Sequence, residues 1–183
     1  QGIKSEAQKD KSIIAAGHSY QTEEPSITIT MNGQLNYKSM KSLSKKNDLL
    51  YLSKPLGTGY LLAAYFKNSP LIDHQDFRLL IKYLKRSNKN AAEIALKCNC
   101  RAMTDISGFG LASHLGDICE SSNLSAEIYL SDKILINKKL KLLNSYRSTG
   151  FENNYIAASE ILKIKKNHSL IDILFDPQTN GPL

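Results

Sequence analysis

The residues best suited to chemistry stand in Met103-Thr104-Asp105-Ile106-Ser107-Gly108-Phe109-Gly110-Leu111. Their pattern places a carboxylate at the end of a short strand, two glycines in the loop after it, and a helix beyond. Asp105 offers the hard oxygen that Mg²⁺ prefers. The glycines let backbone N–H groups approach a ligand, and a helix N-terminus favours negative charge. Those features suit a metal–polyphosphate site. The same spacing also suits an Asp105 that caps the helix, and an isolated Gly-x-Gly does not decide between the two.

Three further segments have the same strand–turn character. Lys54-Pro55-Leu56-Gly57-Thr58-Gly59 resembles a phosphate loop but lacks the Gly-Lys-Ser/Thr ending that contacts phosphate and Mg²⁺. Ala15-Ala16-Gly17-His18-Ser19 carries a histidine at a strand end, where a hydrogen-bonded structural role is the commoner one. Asp176-Pro177-Gln178-Thr179-Asn180-Gly181 is a turn rich in residues that bond their own backbone. Cys98-x-Cys100 has the wrong spacing for a zinc knuckle and no nearby histidine, so these thiols and Cys119 read as structural.

The elements that position these segments alternate. Helices are expected over Gln1–Lys9, from Tyr60, and over Asp76–Arg86, Ala91–Cys98, Gly108–Glu120, Lys138–Tyr146 and Tyr155–Lys163. Apolar residues there recur three or four apart, as in Phe77, Leu80, Ile81 and Leu84. Strands are expected over Ser12–Ala16, Ile27–Gly33, Asp48–Lys54, Ala102–Asp105, Ala126–Leu130 and Leu170–Phe175. This mixture predicts an α/β or α+β layered fold. The polar, Lys-rich stretch Asn36–Lys46 is the expected connection, dividing residues 1–47 from residues 48–183.

Bulk properties exclude several classes. A hydrophobic share of 42% and interspersed charge fit a folded chain rather than a disordered or fibrous one. The longest uncharged apolar run, around Tyr60–Phe66, is about a third of the ~20 residues that span a bilayer, so no membrane association is expected. The net charge of +7 comes mostly from scattered lysines. Only Lys45-Lys46, Lys138-Lys139-x-Lys141 and Lys163-x-Lys165-Lys166 cluster, without interleaved aromatics, so these are solvated faces and nucleic acid is not an expected partner. Three unpaired cysteines suit a reducing compartment.

The order of the four segments is more specific than any one of them. Ala16-Gly17-His18-Ser19, Lys54–Gly59, Met103–Leu111 with His114-Leu115, and Leu174–Gly181 follow one another as the corresponding motifs do in the selenophosphate synthetases (selenide, water dikinases). Glu24-Pro25 is similar to that family's acidic-Pro pair, and the resemblance covers nearly the whole chain. It implies the two-domain aminoimidazole-ribonucleotide-synthetase-like architecture: an N-terminal domain that dimerises to build the ATP site and a C-terminal domain that covers it. Residues 1–47 would then be the remnant of the first domain and 48–183 the second without its last elements.

By the same resemblance Asp105 matches a metal-binding Asp, and Ala16, Gly17 and His18 match an ATP-contacting turn. The implied reaction is cytoplasmic and Mg²⁺-dependent: ATP, selenide and water give selenophosphate, AMP and phosphate. No catalytic residue is assigned within the chain. The family's nucleophilic Cys or selenocysteine, the Lys beside it and three more Asp ligands belong to a segment upstream of Gln1, so the fragment alone is expected to be inert. Two positions depart from the pattern: Ala16 replaces a usual Gly, and Pro182 follows Gly181 where the family has Gly-Gly. They keep open a degenerate, non-catalytic dimerisation or binding module; a superfamily relative with a different acceptor is the other reading, though such relatives usually lack the Asp-Pro-Gln-Thr string.

Overall fold

The computed structural model describes residues 2–34, 40–163 and 168–183. Asn36–Ser39 of the expected connection and the cluster residues Lys165 and Lys166 lie outside that set. The chain divides into two compact units, Gln1–Asn36 and Tyr37–Leu183. The second unit begins earlier than the division at residue 47 expected from composition. The reason is local: Met40 donates its N–H to Arg101 O, Lys41 Nζ pairs with Asp117 at 2.6 Å, and Ser122 Oγ donates to Lys41 O.

The first unit contains helix α1, Gly2–Lys9, followed by extended chain. Ile27, Ile29 and Met31 form the alternating apolar face expected of a strand, yet they are exposed and unpaired among the described residues. Alternation records which face needs cover; a strand also needs a neighbouring edge for its N–H and C=O groups.

The second unit is built from α2 (Thr58–Phe66), α3 (His74–Leu84), α4 (Lys89–Lys97), α5 (Gly110–Ser121) and α6 (Phe151–Ser159). Short 3₁₀ turns occupy Lys41–Leu43, Asp132–Ile134, Lys138–Leu142 and Ile171–Leu174. Among the described residues the expected strands do not form ladders. Pairing is limited to one isolated parallel bridge, Leu56 with Leu135, closed by Leu56 N to Ile134 O at 2.7 Å and Ile136 N to Leu56 O at 2.9 Å. Leu170–Phe175, expected to be a strand, is instead the 3₁₀ turn that buries Ile173, Leu174 and Phe175. A short apolar run broken only by Asp172 has no clear period, so its pattern could not tell the two apart.

The helix boundaries have identifiable causes. Asp73 caps α3 by accepting from the Gln75 and Asp76 amides, and Asp76 returns a bond to Asp73 N. This is a reciprocal capping box. At the other ends, Asn68, Asn99 and Asn123 close α2, α4 and α5 in the left-handed conformation, with φ of 51°, 55° and 52°. Each is followed by a 6→1 backbone bond: Ser69 N to Ala64 O, Cys100 N to Ala95 O and Leu124 N to Cys119 O. These are Schellman closures, with asparagine in the place glycine usually holds. The core gathers Leu56, Leu61, Leu80, Leu143, Phe151, Leu174 and Phe175, all nearly inaccessible.

Candidate functional site

The Asp-Pro-Gln-Thr turn and the Lys-Pro-Leu-Gly-Thr-Gly turn, far apart in sequence, are bound to each other inside the second unit. Gln178 Oε1 accepts from the Gly57 amide at 3.1 Å, the Thr58 amide at 3.3 Å and Thr58 Oγ1 at 3.2 Å. Its Nε2 donates to Asp176 O and Asp176 Oδ2. Thr58 Oγ1 accepts from Thr179 N at 2.9 Å, which closes the network. Gly57 has φ of 116°, and a side chain there would overlap Leu140. Glycine therefore meets both a backbone and a packing requirement at this position.

Asp176 is completely buried. Its Oδ2 also accepts from Gly59 N at 3.1 Å, while Oδ1 has no hydrogen-bond partner among the described residues. Burial pushes its carboxyl up to about 7, against the opposing effect of the bonds from Gln178 and Gly59. Lys54 is likewise buried, its Nζ donating to Arg86 O at 3.0 Å and Asn180 O at 2.5 Å. Desolvation lowers its pKa, with the nearby Arg86 acting in the same direction. Neither turn leaves these polar ends free for a phosphate: both are part of the interior scaffold.

The Asp105 loop is attached to that scaffold by its backbone. Ile106 N donates to Pro182 O at 2.9 Å, and Gln178 N donates to Ser107 O at 3.0 Å. His114 Nε2 accepts from Ser107 N at 3.2 Å, and its Nδ1 is buried without a partner among the described residues. Asn154, 5% exposed, donates through Nδ2 to Gly108 O at 2.8 Å and to Phe175 O at 2.9 Å. Gly110, with φ of 76°, lies against Leu174 and Phe175 so closely that a Cβ would be 2.8 Å from Leu174 O. Nothing lies within 4 Å of a Cβ at Gly108, so the space over that residue is open.

Asp105 itself is exposed, and its carboxylate has no hydrogen-bond partner among the described residues. It does not cap α5, which starts five residues later with Phe109 at the N-cap and no side-chain cap bond. The helix-cap reading of Asp105 is therefore excluded by position. Pro182, the departure from Gly-Gly, is buried, and its carbonyl receives the Ile106 bond, so its missing N–H costs this loop nothing.

Ala16, Gly17 and His18 are exposed in the first unit, and a Cβ at Gly17 would meet nothing within 4 Å. Among the described residues no three His, Cys, Asp or Glu side chains gather into a metal-holding group. Cys98, Cys100 and Cys119 are free thiols. Asp105 thus fits one carboxylate ligand of a Mg²⁺ otherwise held by water and phosphate, a common arrangement for that ion. It does not make a closed metal site.

A model of the AIR synthase related protein C-terminal domain matches residues 45–164. The chain belongs to that family. Its AIR synthase related domain therefore includes the Asp105 loop, the Lys54–Gly59 turn and Asn154, while the Asp176–Thr179 turn follows it in sequence. Across 93% of its length the chain is 34% identical to the selenide, water dikinase of Shewanella sp. strain MR-7, over 174 residues. It is 31% identical over 176 residues to that of Caldanaerobacter subterraneus subsp. tengcongensis. The chain spans about half the length of these curated relatives, 49% and 50% respectively. The resemblance drawn from motif order is thus the one found by comparison with known proteins. No helix among the described residues is long and apolar enough to cross a membrane.

Asn154 and the Thr58–Gln178 pairing carried no separable sequence signal. Asn154 lies in the Asn153-Asn154 pair, just before the helix expected from Tyr155, in a chain rich in asparagine. Only the fold shows that its amide reaches two loops at once.

Proposed function

We propose that this chain supplies the C-terminal-domain part of a selenide, water dikinase, which converts ATP, selenide and water into selenophosphate, AMP and phosphate. The observation that carries this reading is the 34% identity extending over 93% of the chain to proteins of that name. The unpartnered, solvent-facing carboxylate of Asp105 on a loop held by its main chain is what a metal-ligand role in such an enzyme requires.

In this reading Asp105 holds Mg²⁺, and Ala16, Gly17 and His18 contact ATP in a cytoplasmic homodimer whose first domain includes the unit Gln1–Asn36. The layered α/β pairing of the family would be completed there. Held by Asp105, Mg²⁺ would supply positive charge against the polyphosphate. The chain's own part is to present Asp105 without a competing internal bond and to leave open space over Gly108 for the ligand. Lys54, Thr58, Asp176 and Gln178 act as scaffold and touch no substrate. The isolated chain should bind Mg-ATP poorly and be inert with selenide, because one carboxylate cannot retain the metal complex.

The experiment is to supply the whole protein with ATP, selenide and Mg²⁺ and follow AMP. Selenide-dependent AMP formation is expected. ATP turnover indifferent to selenide would instead favour a superfamily relative with another acceptor, and no turnover at all would favour the non-catalytic module.

A further inference from the structure

The Asp105 loop and the turn that begins at Phe175 come from different parts of the chain, and one side chain holds both. Asn154 on α6 is buried, and its single Nδ2 group donates one hydrogen to Gly108 O and the other to Phe175 O. The first carbonyl is three residues beyond Asp105. The second immediately precedes Asp176, whose turn returns through Gln178 N to Ser107 O and through Pro182 O to Ile106 N. The loop's path is thereby fixed at Ile106, Ser107 and Gly108 in succession. Asp105, with no side-chain partner of its own, takes its position from those attachments and from the His114 bond to Ser107 N. Asparagine is suited to the task because both donors sit on one nitrogen; aspartate would place an acceptor against two carbonyl oxygens.

We infer that Asn154 is a positioning residue for Asp105, setting where that carboxylate is presented to a divalent cation. This rests on the proposed metal role of Asp105. Residues that orient a ligand, rather than bind metal, typically change metal affinity by 10- to 100-fold when removed.

The test is Mn²⁺ binding to the whole protein with a non-hydrolysable ATP analogue, read by electron paramagnetic resonance, together with amide hydrogen exchange over the loop. Asn154→Ala should weaken Mn²⁺ about tenfold and speed exchange of the Ser107 and Gly110 amides. In an Asp105→Asn background the same change should have no further effect on Mn²⁺. Should Asn154→Ala fail to fold, Asn154→Ser, which keeps a polar group at the site but cannot donate to both carbonyls, carries the same expectation. Asn154 variants that bind Mn²⁺ normally while Asp105→Asn weakens it would overturn the positioning role and leave the metal role standing. An Asn154 effect undiminished in the Asp105→Asn background would also overturn it. If Asp105→Asn leaves Mn²⁺ binding unchanged, the metal role fails, and the inference with it.

Discussion

Thr58 and Gln178, 120 residues apart, meet through the Thr58 hydroxyl and the Gln178 side-chain carbonyl at 3.2 Å, with the Thr58 amide on the same oxygen. The contact makes one structural unit of two turns that, in sequence, look separate, the first like a phosphate loop and the second a turn that bonds its own backbone. It also explains why Gln178 is buried: all its polar atoms have partners, so its desolvation is compensated.

Removing that side chain should therefore be costly. Gln178→Ala leaves the Gly57 and Thr58 amides without their acceptor, and buried groups left unpaired cost about 1–3 kcal/mol each. We expect a loss of about 3 kcal/mol in urea unfolding. A loss below 1 kcal/mol would mean water replaces the glutamine and the two turns are only loosely joined.

Asp176 gives the fold a pH dependence whose sign follows from burial. Its carboxyl is raised from near 4 in the unfolded chain to about 7 in the folded one. The folded state therefore holds the proton more tightly. This contribution to stability is complete below pH 4 and is lost as pH rises through 7, at up to about 1.4 kcal/mol per pH unit. Asp176→Asn should flatten the profile between pH 4 and 8 and be the more stable protein at pH 8. Its amide can keep an oxygen toward Gly59 N. Parallel urea midpoints across that range for the two proteins are the check; identical slopes would place the titration elsewhere.

The Schellman closures give a third expectation. At Asn99, φ of 55° penalises any residue with a Cβ that lacks asparagine's tolerance of that conformation. Asn99→Ala should lower stability by about 1 kcal/mol, whereas Asn99→Gly should be neutral or slightly stabilising. Thermal unfolding of the pair distinguishes this from a role for the Asn99 side chain, which would make both changes equally harmful.

Most helices were legible in the sequence because their information is local: Phe77, Leu80, Ile81 and Leu84 mark one face of α3, although its start at His74, set by the Asp73 cap, precedes the expected Asp76. The helix expected over Lys138–Tyr146 is instead a 3₁₀ turn at Lys138–Leu142, and that expected over Tyr155–Lys163 runs Phe151–Ser159. The strands were not legible, because Ile27, Ile29 and Met31 state a need for cover without naming what provides it. Of the site, residue type and spacing singled out Asp105 and its loop but left metal ligand and helix cap open, and the start of α5 at Gly110 removes the cap. The functions of Gln178 and Asp176 could not be read: a turn-forming Asp-Pro-Gln-Thr string looks the same whether it faces solvent or, as here, bonds to the Gly57–Gly59 backbone. That Asn68, Asn99 and Asn123 end three helices is visible only in their φ.

The most direct test of the account is the Mg²⁺ dependence of selenide-stimulated AMP formation by the whole protein and its Asp105→Asn variant. Because Asp105 is exposed and has no hydrogen-bond partner among the described residues, the variant should unfold at the same temperature as the parent. It should nevertheless need far more Mg²⁺ and turn over at least about a hundredfold more slowly at limiting metal, as loss of several kcal/mol of charge stabilisation dictates. Equal rates at limiting Mg²⁺ in two equally folded proteins would contradict the assignment of Asp105 as a metal ligand.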